Sequence, residues 1–333
     1  MSATRCAVLG DGGWGTALAI HLHRLGHRVT WWGAFPEYLK ELDRRRVNRK
    51  FLPGVAIPHG IRIQPDLGEA VAGARLVVLA VPSQHLRSVT RRLTLESGAM
   101  RHGIIVSVAK GLERRSLKRM SQVIHEELGA VPLVALSGPS IAAEVAHGHP
   151  ASVVAASTHE RVARTVQHLC MNTRLRIYTS TDVPGVELGG ALKNPIAIAA
   201  GVSDGLGFGA NAKAALITRG VVEMARLGVA LGARAHTFWG LSGLGDLVTT
   251  CLSGRNRWLG EQLGKGRRLR SVLASTPMVI EGVETARAAV ALGRRHRIEL
   301  PIIEQVDAML FRSRSPGKAL HALMLRAGKA EAP

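Results

Sequence analysis

Three observations predict an α/β chain in two parts. First, near-continuous apolar segments recur at residues 5–10, 29–32, 76–81, 103–108 and 133–136, with stretches of helical character between them. Parallel strands covered on both faces read this way. Second, Gly10, Gly12 and Gly15 spell G-x-G-x-x-G between the first apolar segment and an Ala/Leu-rich helical one. Third, the pattern changes near Asp182: the segments become long, Ala/Gly-rich and helical, and no strand alternation is visible past Ile177-Tyr178. Together these predict a doubly wound, mostly parallel sheet of Rossmann type over residues 1–183 and an all-helical domain over 184–333.

Composition bounds the reading. A chain of 333 residues can build two cores. No apolar run is long enough to span a bilayer. Met1-Ser2-Ala3-Thr4-Arg5-Cys6 leads straight into a strand, which is not the pattern of a signal peptide. Cys6, Cys170 and Cys251 are scattered and odd in number, so reduced thiols in a cytoplasm are expected. No metal site is expected. The net charge of +20 attracts anions of every kind. Its basic residues lie in short clusters such as Arg44-Arg45-Arg46 and Arg267-Arg268, and aromatic residues make up only 4%. Single-strand binders need stacking platforms, so no specific nucleic-acid partner is expected.

The first strand, residues 5–10, runs into the glycine turn, and a helix starts at Thr16-Ala17-Leu18. Gly26 sits where that helix should stop. Residues 29–32 then complete a βαβ opening. In this context Gly10 permits the tight turn, Gly12 lets backbone approach a pyrophosphate, and Gly15 allows close helix–strand packing. Gly13 and Trp14 fall over the same anion. The acidic residue expected about twenty positions on, for a ribose diol, is missing. Residues 32–36 read Trp-Gly-Ala-Phe-Pro, Glu37 comes late, and no Arg or Lys stands at 33–35. NAD and NADP therefore both stay open. Val81-Pro82-Ser83-Gln84 ends another strand and reads equally as a plain turn or a cofactor contact. Residues 211–231 carry helical spacing.

The chemistry lies further on. Lys110 follows the strand at 103–108, Gly138 and Ser140 follow the one at 133–136, and Lys193-Asn194 sits among Gly, Ala and Leu. Asp246, Thr250 and Gly254-Arg255-Asn256 come last. Reducing a ketone builds negative charge on its oxygen, which calls for a proton donor with cationic neighbours. Lys193 can donate if burial or a second cation, such as Lys110, lowers its pKa. Asp246 would orient the ammonium. Gly254, Arg255 and Asn256 supply a guanidinium fork, an amide and free N–H groups for an anion.

With Phe51-Leu52-Pro53-Gly54, these motifs closely resemble the soluble NAD(P)-dependent glycerol-3-phosphate dehydrogenase family, over roughly residues 5 to 290. The resemblance implies reduction of dihydroxyacetone phosphate to sn-glycerol 3-phosphate with NADH or NADPH, feeding phospholipid synthesis, by a cytoplasmic homodimer. It implies Lys193 as general acid/base, with Lys110 and Asp246 as its catalytic partners. It implies substrate contacts at Lys110, Gly138, Ser140, Lys193, Asn194, Asp246, Thr250, Gly254, Arg255 and Asn256. It implies cofactor contacts at Gly10, Gly12, Gly13, Trp14, Gly15, Lys110, Ala142, Arg255, Val279 and Glu281.

Two departures stand out. Pro195 follows Lys193-Asn194 where the family commonly has Val or Ile, so either a helix begins there with Asn194 as its cap, or Lys193 sits at a kink. Ala34 replaces the basic residue that many bacterial relatives carry, which weakens any case for NADP. Two rivals are a dehydrogenase of the same architecture acting on another small hydroxy compound, and a nucleotide sensor or nucleic-acid binder. The intact Arg255-Asn256 pair argues against the first. Lys110, Lys193 and Asp246 argue against the second, because a sensor has no use for a proton donor.

Overall fold

A computed structural model describes residues 3–96, 103–328 and 330–331, the side chains of 95 and 96 excepted. Its N-terminal part is one sheet of β1 (Arg5–Leu9), β2 (Arg28–Trp32), β3 (Arg62–Ile63), β4 (Leu76–Leu79), β5 (Ile104–Ser107), β6 (Leu133–Ser137), β7 (Ala151–Ala156) and β8 (Leu175–Ser180). The strand order is 3-2-1-4-5-6-7-8, and every neighbouring pair is parallel except β6 with β7. The connecting helices are α1 (Gly13–Arg24), α2 (Pro36–Arg45), α3 (Leu67–Val71), α4 (Ser83–Glu96), α5 (Met120–Leu128), α6 (Ala142–His147) and α7 (Glu160–Cys170).

Side-chain alternation along the strands feeds two cores. Cys6, Val8, Val78 and Val106 pack on one face, and Ala7, Leu9, Val77, Leu79 and Ile105 on the other. Both faces are covered, so the central strands β1, β4, β5 and β6 are apolar along most of their length. The order reverses between β1 and its two neighbours, β2 and β4. That switch point opens a crevice outside the carboxyl ends of the strands.

The five expected strands are present with ends shifted by one or two residues, and α1 starts at Gly13, ahead of Thr16. The sequence reading missed β3 and β7 and saw only the middle of β8. β3 is two residues long. β7, Ala-Ser-Val-Val-Ala-Ala, is rich in a weak strand former. It runs antiparallel to β6, and the intervening α6 packs on α1.

The sheet ends at Ser180, and α8 (Val183–Gly205) begins three residues on, capped by Asp182, whose Oδ1 accepts from Gly185 N at 3.0 Å. After it come α9 (Ala210–Ala230), a 3-10 turn (Ala235–Trp239), a π turn (Leu241–Gly245), α10 (Asp246–Leu252), α11 (Arg255–Gly264), α12 (Leu269–Ala274), α13 (Glu281–His296), α14 (Pro301–Phe311) and α15 (Pro316–Met324). α8 is buried on all sides, as expected of a helix at the centre of a bundle.

Pro195 lies inside α8, so of the two alternatives the helix start with Asn194 as cap is ruled out. Packing from every side outweighs the hydrogen bond that proline cannot give. α8 and α11 cross at glycines. A Cβ at Gly201 would stand 1.9 Å from the Arg257 carbonyl oxygen, and one at Gly260 would stand 1.9 Å from that of Ile198. Among the described residues, no helix is long and apolar enough to cross a membrane.

Candidate active site

Lys193 projects from the middle of α8 and is only 5% exposed. Its Nζ donates to Asp246 Oδ1 at 2.8 Å and to Thr250 Oγ1 at 2.5 Å. Asp246, 2% exposed, opens α10 directly after the π turn. Its second oxygen, Oδ2, accepts from Lys110 Nζ at 2.7 Å. Lys110 also donates to the Gly138 carbonyl at 2.9 Å and to Ser140 Oγ at 3.3 Å. One carboxylate thus holds two ammonium groups, one from each half of the chain.

Glycines make this convergence possible. A Cβ at Gly189 would press within 2.6 Å of the Ser242 carbonyl oxygen, and one at Gly190 within 2.5 Å of Ser137 Oγ. Each glycine inside a helix costs about 1 kcal/mol relative to alanine. Here they let α8 approach both the end of β6 and the π turn that carries Asp246.

The electrostatics follow from burial. Loss of water pulls the Lys193 pKa down to about 8; Asp246 opposes the shift and the neighbouring Lys110 charge adds to it. With a pKa of about 8, Lys193 can give a proton as the ammonium and take one as the amine.

Asn194 and Asn256 frame this centre. Asn194 Nδ2 donates to the Lys110 carbonyl at 3.0 Å, and its Oδ1 accepts from Asn256 Nδ2 at 2.9 Å. Asn256 Oδ1 accepts from Gly282 N at 3.0 Å. The chain of amides ties together the loop after β5, α8, α11 and α13. Beside it, Gly254 turns at φ 103° into the start of α11. The first N–H groups of α11 have no acceptor within the helix. Arg255 is exposed, and its Nη1 donates to the Val279 carbonyl at 3.0 Å.

The glycine turn after β1 lies on the other side of the cleft. Cβ atoms at Gly10 and Gly15 would stand 2.4 Å from the Ala80 carbonyl oxygen and 2.1 Å from that of Gly10. One at Gly13 would meet the Phe51 carbonyl oxygen at 2.6 Å and Ala142 Cβ at 3.7 Å, whereas one at Gly12 would meet nothing. Gly12 backbone is thus open to an approaching anion at the N-terminus of α1, which fits a pyrophosphate. Trp14 is half-buried against the adjoining core.

One participant, Asn48, was missed in the sequence, and the turn at 81–84 was left open between a plain turn and a cofactor contact. Ser83 opens α4, its N donates to Glu281 Oε1 at 2.9 Å, and its hydroxyl donates to Glu281 Oε2. This joins the strand-end turn at 81–84 to α13 across the cleft. Asn48, fully buried, donates from Nδ2 to the Asp11 carbonyl and to Thr16 Oγ1, both at 2.8 Å. Its Oδ1 accepts from Phe51 N at 2.9 Å and from the Tyr38 hydroxyl at 2.7 Å. It clamps the Phe51-Leu52-Pro53-Gly54 segment over the glycine turn. A buried Asn beside that motif was its only trace in the sequence.

The structure therefore brings Lys110, Gly138, Ser140, Lys193, Asn194, Asp246 and Thr250 into one cluster, with Asn256 joined to it through Asn194. Gly254, Arg255 and Val279 stand together outside that cluster. Gly10, Gly12, Gly13, Trp14, Gly15 and Ala142 line the glycine turn, and Glu281 bridges to Ser83.

Known proteins of one kind match this chain over nearly its whole length. The profile described as NAD-dependent glycerol-3-phosphate dehydrogenase N-terminus matches residues 5–163, and the corresponding C-terminus profile matches residues 182–321. The glycerol-3-phosphate dehydrogenase [NAD(P)+] of Thermoanaerobacter sp. (strain X514) is 47% identical, covering 98% of both chains. That of Geobacter sp. (strain M21) is 48% identical over 99% of each. The crystal structure of glycerol-3-phosphate dehydrogenase from Coxiella burnetii superposes with a TM-score of 0.93 at 37% identity, covering 97% of this chain and 99% of that one.

Proposed function

The chain belongs to the NAD-dependent glycerol-3-phosphate dehydrogenase family, and from that membership we propose how its residues divide the work of the reaction. The reaction is dihydroxyacetone phosphate + NAD(P)H + H⁺ ⇌ sn-glycerol 3-phosphate + NAD(P)⁺. The nicotinamide, when bound, supplies or receives the hydride at C2. Lys193 protonates the C2 oxygen in reduction and takes that proton back in oxidation. Lys110 adds positive charge where the oxygen becomes negative. Asp246 positions both ammonium groups. The observation that carries this reading is the shared carboxylate, with Lys193 held at a pKa of about 8.

Arg255 and the first N–H groups of α11 receive the substrate phosphate. One amide N–H of Asn256 remains for the same anion, since its partners account for the other atoms. Gly138, Ser140, Asn194, Thr250 and Gly254 shape the pocket around the reacting carbon and the phosphate. Gly10, Gly12, Gly13, Trp14, Gly15 and Ala142 hold the dinucleotide pyrophosphate, and Arg255, Val279 and Glu281 close over it with Lys110. Residues 1–183 form the dinucleotide-binding domain and 184–333 the catalytic one. The enzyme works as a cytoplasmic homodimer, and its product enters phospholipid synthesis. These last readings rest on the family and on three unpaired, buried cysteines.

The test is NADH oxidation with dihydroxyacetone phosphate, repeated with NADPH and with unphosphorylated dihydroxyacetone. Turnover should need the phosphate. Equal rates with the free ketone would overturn the anion-binding role of Arg255, and no turnover with either dinucleotide would overturn the assignment.

A further inference from the structure

The acidic residue that would recognise a ribose diol is absent from the end of β2, where Gly33 and Ala34 stand. Gly33 leaves an empty side-chain position there, and another residue fills it. A Cβ built on Gly33 would lie 2.8 Å from each of Asp11 Cβ, Cγ and Oδ2. The Asp11 carboxyl group, the second residue of the G-x-G-x-x-G turn, thus occupies the space that a side chain at the end of β2 would take. Its Oδ2 is buried and has no hydrogen-bond partner. Burial raises its pKa against the opposing pull of its own backbone N–H and of the Lys50 charge. The residue as a whole is only half-buried, so the group is not sealed off.

We propose that Asp11 recognises the adenosine ribose of the dinucleotide, accepting from its 2′-hydroxyl, and so sets a preference for NAD over NADP. The inference rests on the dinucleotide reading above. The carboxylate stands just beyond the end of β1 and not at the end of β2, and the missing side chain at Gly33 leaves room for it. A 2′-phosphate carries a charge of about −1.5 to −2, and beside a carboxylate it meets repulsion where the hydroxyl meets an acceptor.

The cation whose field reaches Asp11 is Lys50. Its Nζ lies 5.0 Å from the Phe51 ring centroid and 5.7 Å from that of Tyr38. Asn48 fixes the Asp11 backbone from beneath through the carbonyl. The side chain is therefore free to change while the glycine turn keeps its shape.

The test measures Kd for NADH and NADPH separately, by quenching of protein fluorescence, in the wild type, Asp11→Asn and Asp11→Ser. The wild type should bind NADH about tenfold or more tightly than NADPH, the scale of one hydrogen bond to a charged group. Both variants should narrow that ratio, chiefly through tighter NADPH. Asp11→Asn keeps the shape and removes the charge, so a purely structural role would leave its ratio at the wild-type value. That result, or equal wild-type affinities, overturns the role of Asp11 and leaves the dinucleotide site standing. Failure of the wild type to bind either nucleotide would overturn the dinucleotide reading itself, and this proposal with it.

Discussion

Lys193 Nζ sits 2.8 Å from Asp246 Oδ1, yet the ammonium titrates near 8 and not above its ordinary value. A carboxylate at that distance normally holds a lysine proton more tightly. Here burial outweighs it, and Asp246 divides its charge with Lys110. The pairing orients the proton without trapping it. Reduction of dihydroxyacetone phosphate needs the ammonium, so kcat should fall as pH rises through about 8. Oxidation of sn-glycerol 3-phosphate needs the free amine and should rise over the same interval. Parallel pH profiles in the two directions would remove Lys193 from the proton transfer. Lys193→Met should cost at least the ~10²–10⁴-fold typical of a lost general acid. The NADH Kd of that variant, measured by fluorescence, should stay near the wild-type value.

The same shift enters stability. The folded pKa of Lys193, about 8, lies below its unfolded value of 10.5, so between these limits the unfolded chain binds more protons. Stability from this group therefore rises with pH across that window and is lowest below pH 8. Denaturant unfolding at several pH values should show the positive contribution in the wild type. Its persistence in Lys193→Met would assign the slope to another group.

Arg255 is exposed and anchored by one bond to the Val279 carbonyl, which leaves its other guanidinium N–H groups for an anion. Arg255→Ala should raise KM for dihydroxyacetone phosphate by the cost of one or two charge-assisted bonds, roughly 1.5–3 kcal/mol each. Steady-state kinetics with substrate varied would show it. An unchanged KM would move phosphate recognition wholly to the N–H groups of α11.

The sequence made the sheet legible wherever strands are buried on both faces, because apolar residues dominate there. β3 and β7 escaped because one is two residues long and the other is Ala-rich. The chemical residues were legible as motifs, down to Asp246 beside Lys193. The joints between motifs were not. Ser83 with Glu281, and Asn194 with Asn256, are pairs whose members lie 198 and 62 residues apart. Pro195 stayed ambiguous for a related reason: the packing around α8 that holds it inside the helix lies outside any local window. Asp11 was visible only as one of the unspecified positions in a glycine motif.

The glycines of the α8–α11 crossing repeat at four-residue spacing on both helices, Gly201 with Gly205 and Gly260 with Gly264. Added Cβ atoms at all four would meet backbone atoms of the facing helix at 2.5 Å or less. Backbone cannot yield as a flexible side chain does. Gly260→Ala should therefore destabilise by about 1–3 kcal/mol, the range for overpacked cores, although alanine is the better helix former. It should also raise KM for the phosphorylated substrate, since α11 carries Arg255 at its start. Gly207→Ala, outside the crossing, gives a control: its Cβ would meet nothing, but its φ of 78° disfavours alanine. Its loss should appear in stability and leave KM unchanged. Equal stability of Gly260→Ala and wild type in urea titration would mean that the helices can part without cost.

The charge of +20 invites a nucleic-acid role, but its distribution does not support one. Part of the basic complement pairs with acidic residues inside the fold, and the excess of 20 is what remains unmatched. Arg87 pairs with Glu113, Glu126 and Glu127, Arg119 with Glu187, and Arg257 with Asp204. Lys110 and Lys193 are taken up by Asp246. The remaining residues attract any polyanion through counterion release, an effect blind to sequence. Duplex DNA should therefore bind with a Kd of about 10⁻⁴–10⁻⁶ M at physiological salt, weakening steeply as salt rises. Fluorescence anisotropy at two salt concentrations, with two unrelated duplexes, tests this, and kcat measured alongside should not respond to the DNA. Tight binding to one duplex over the other, surviving physiological salt, would mean that the surface carries a second, sequence-reading function.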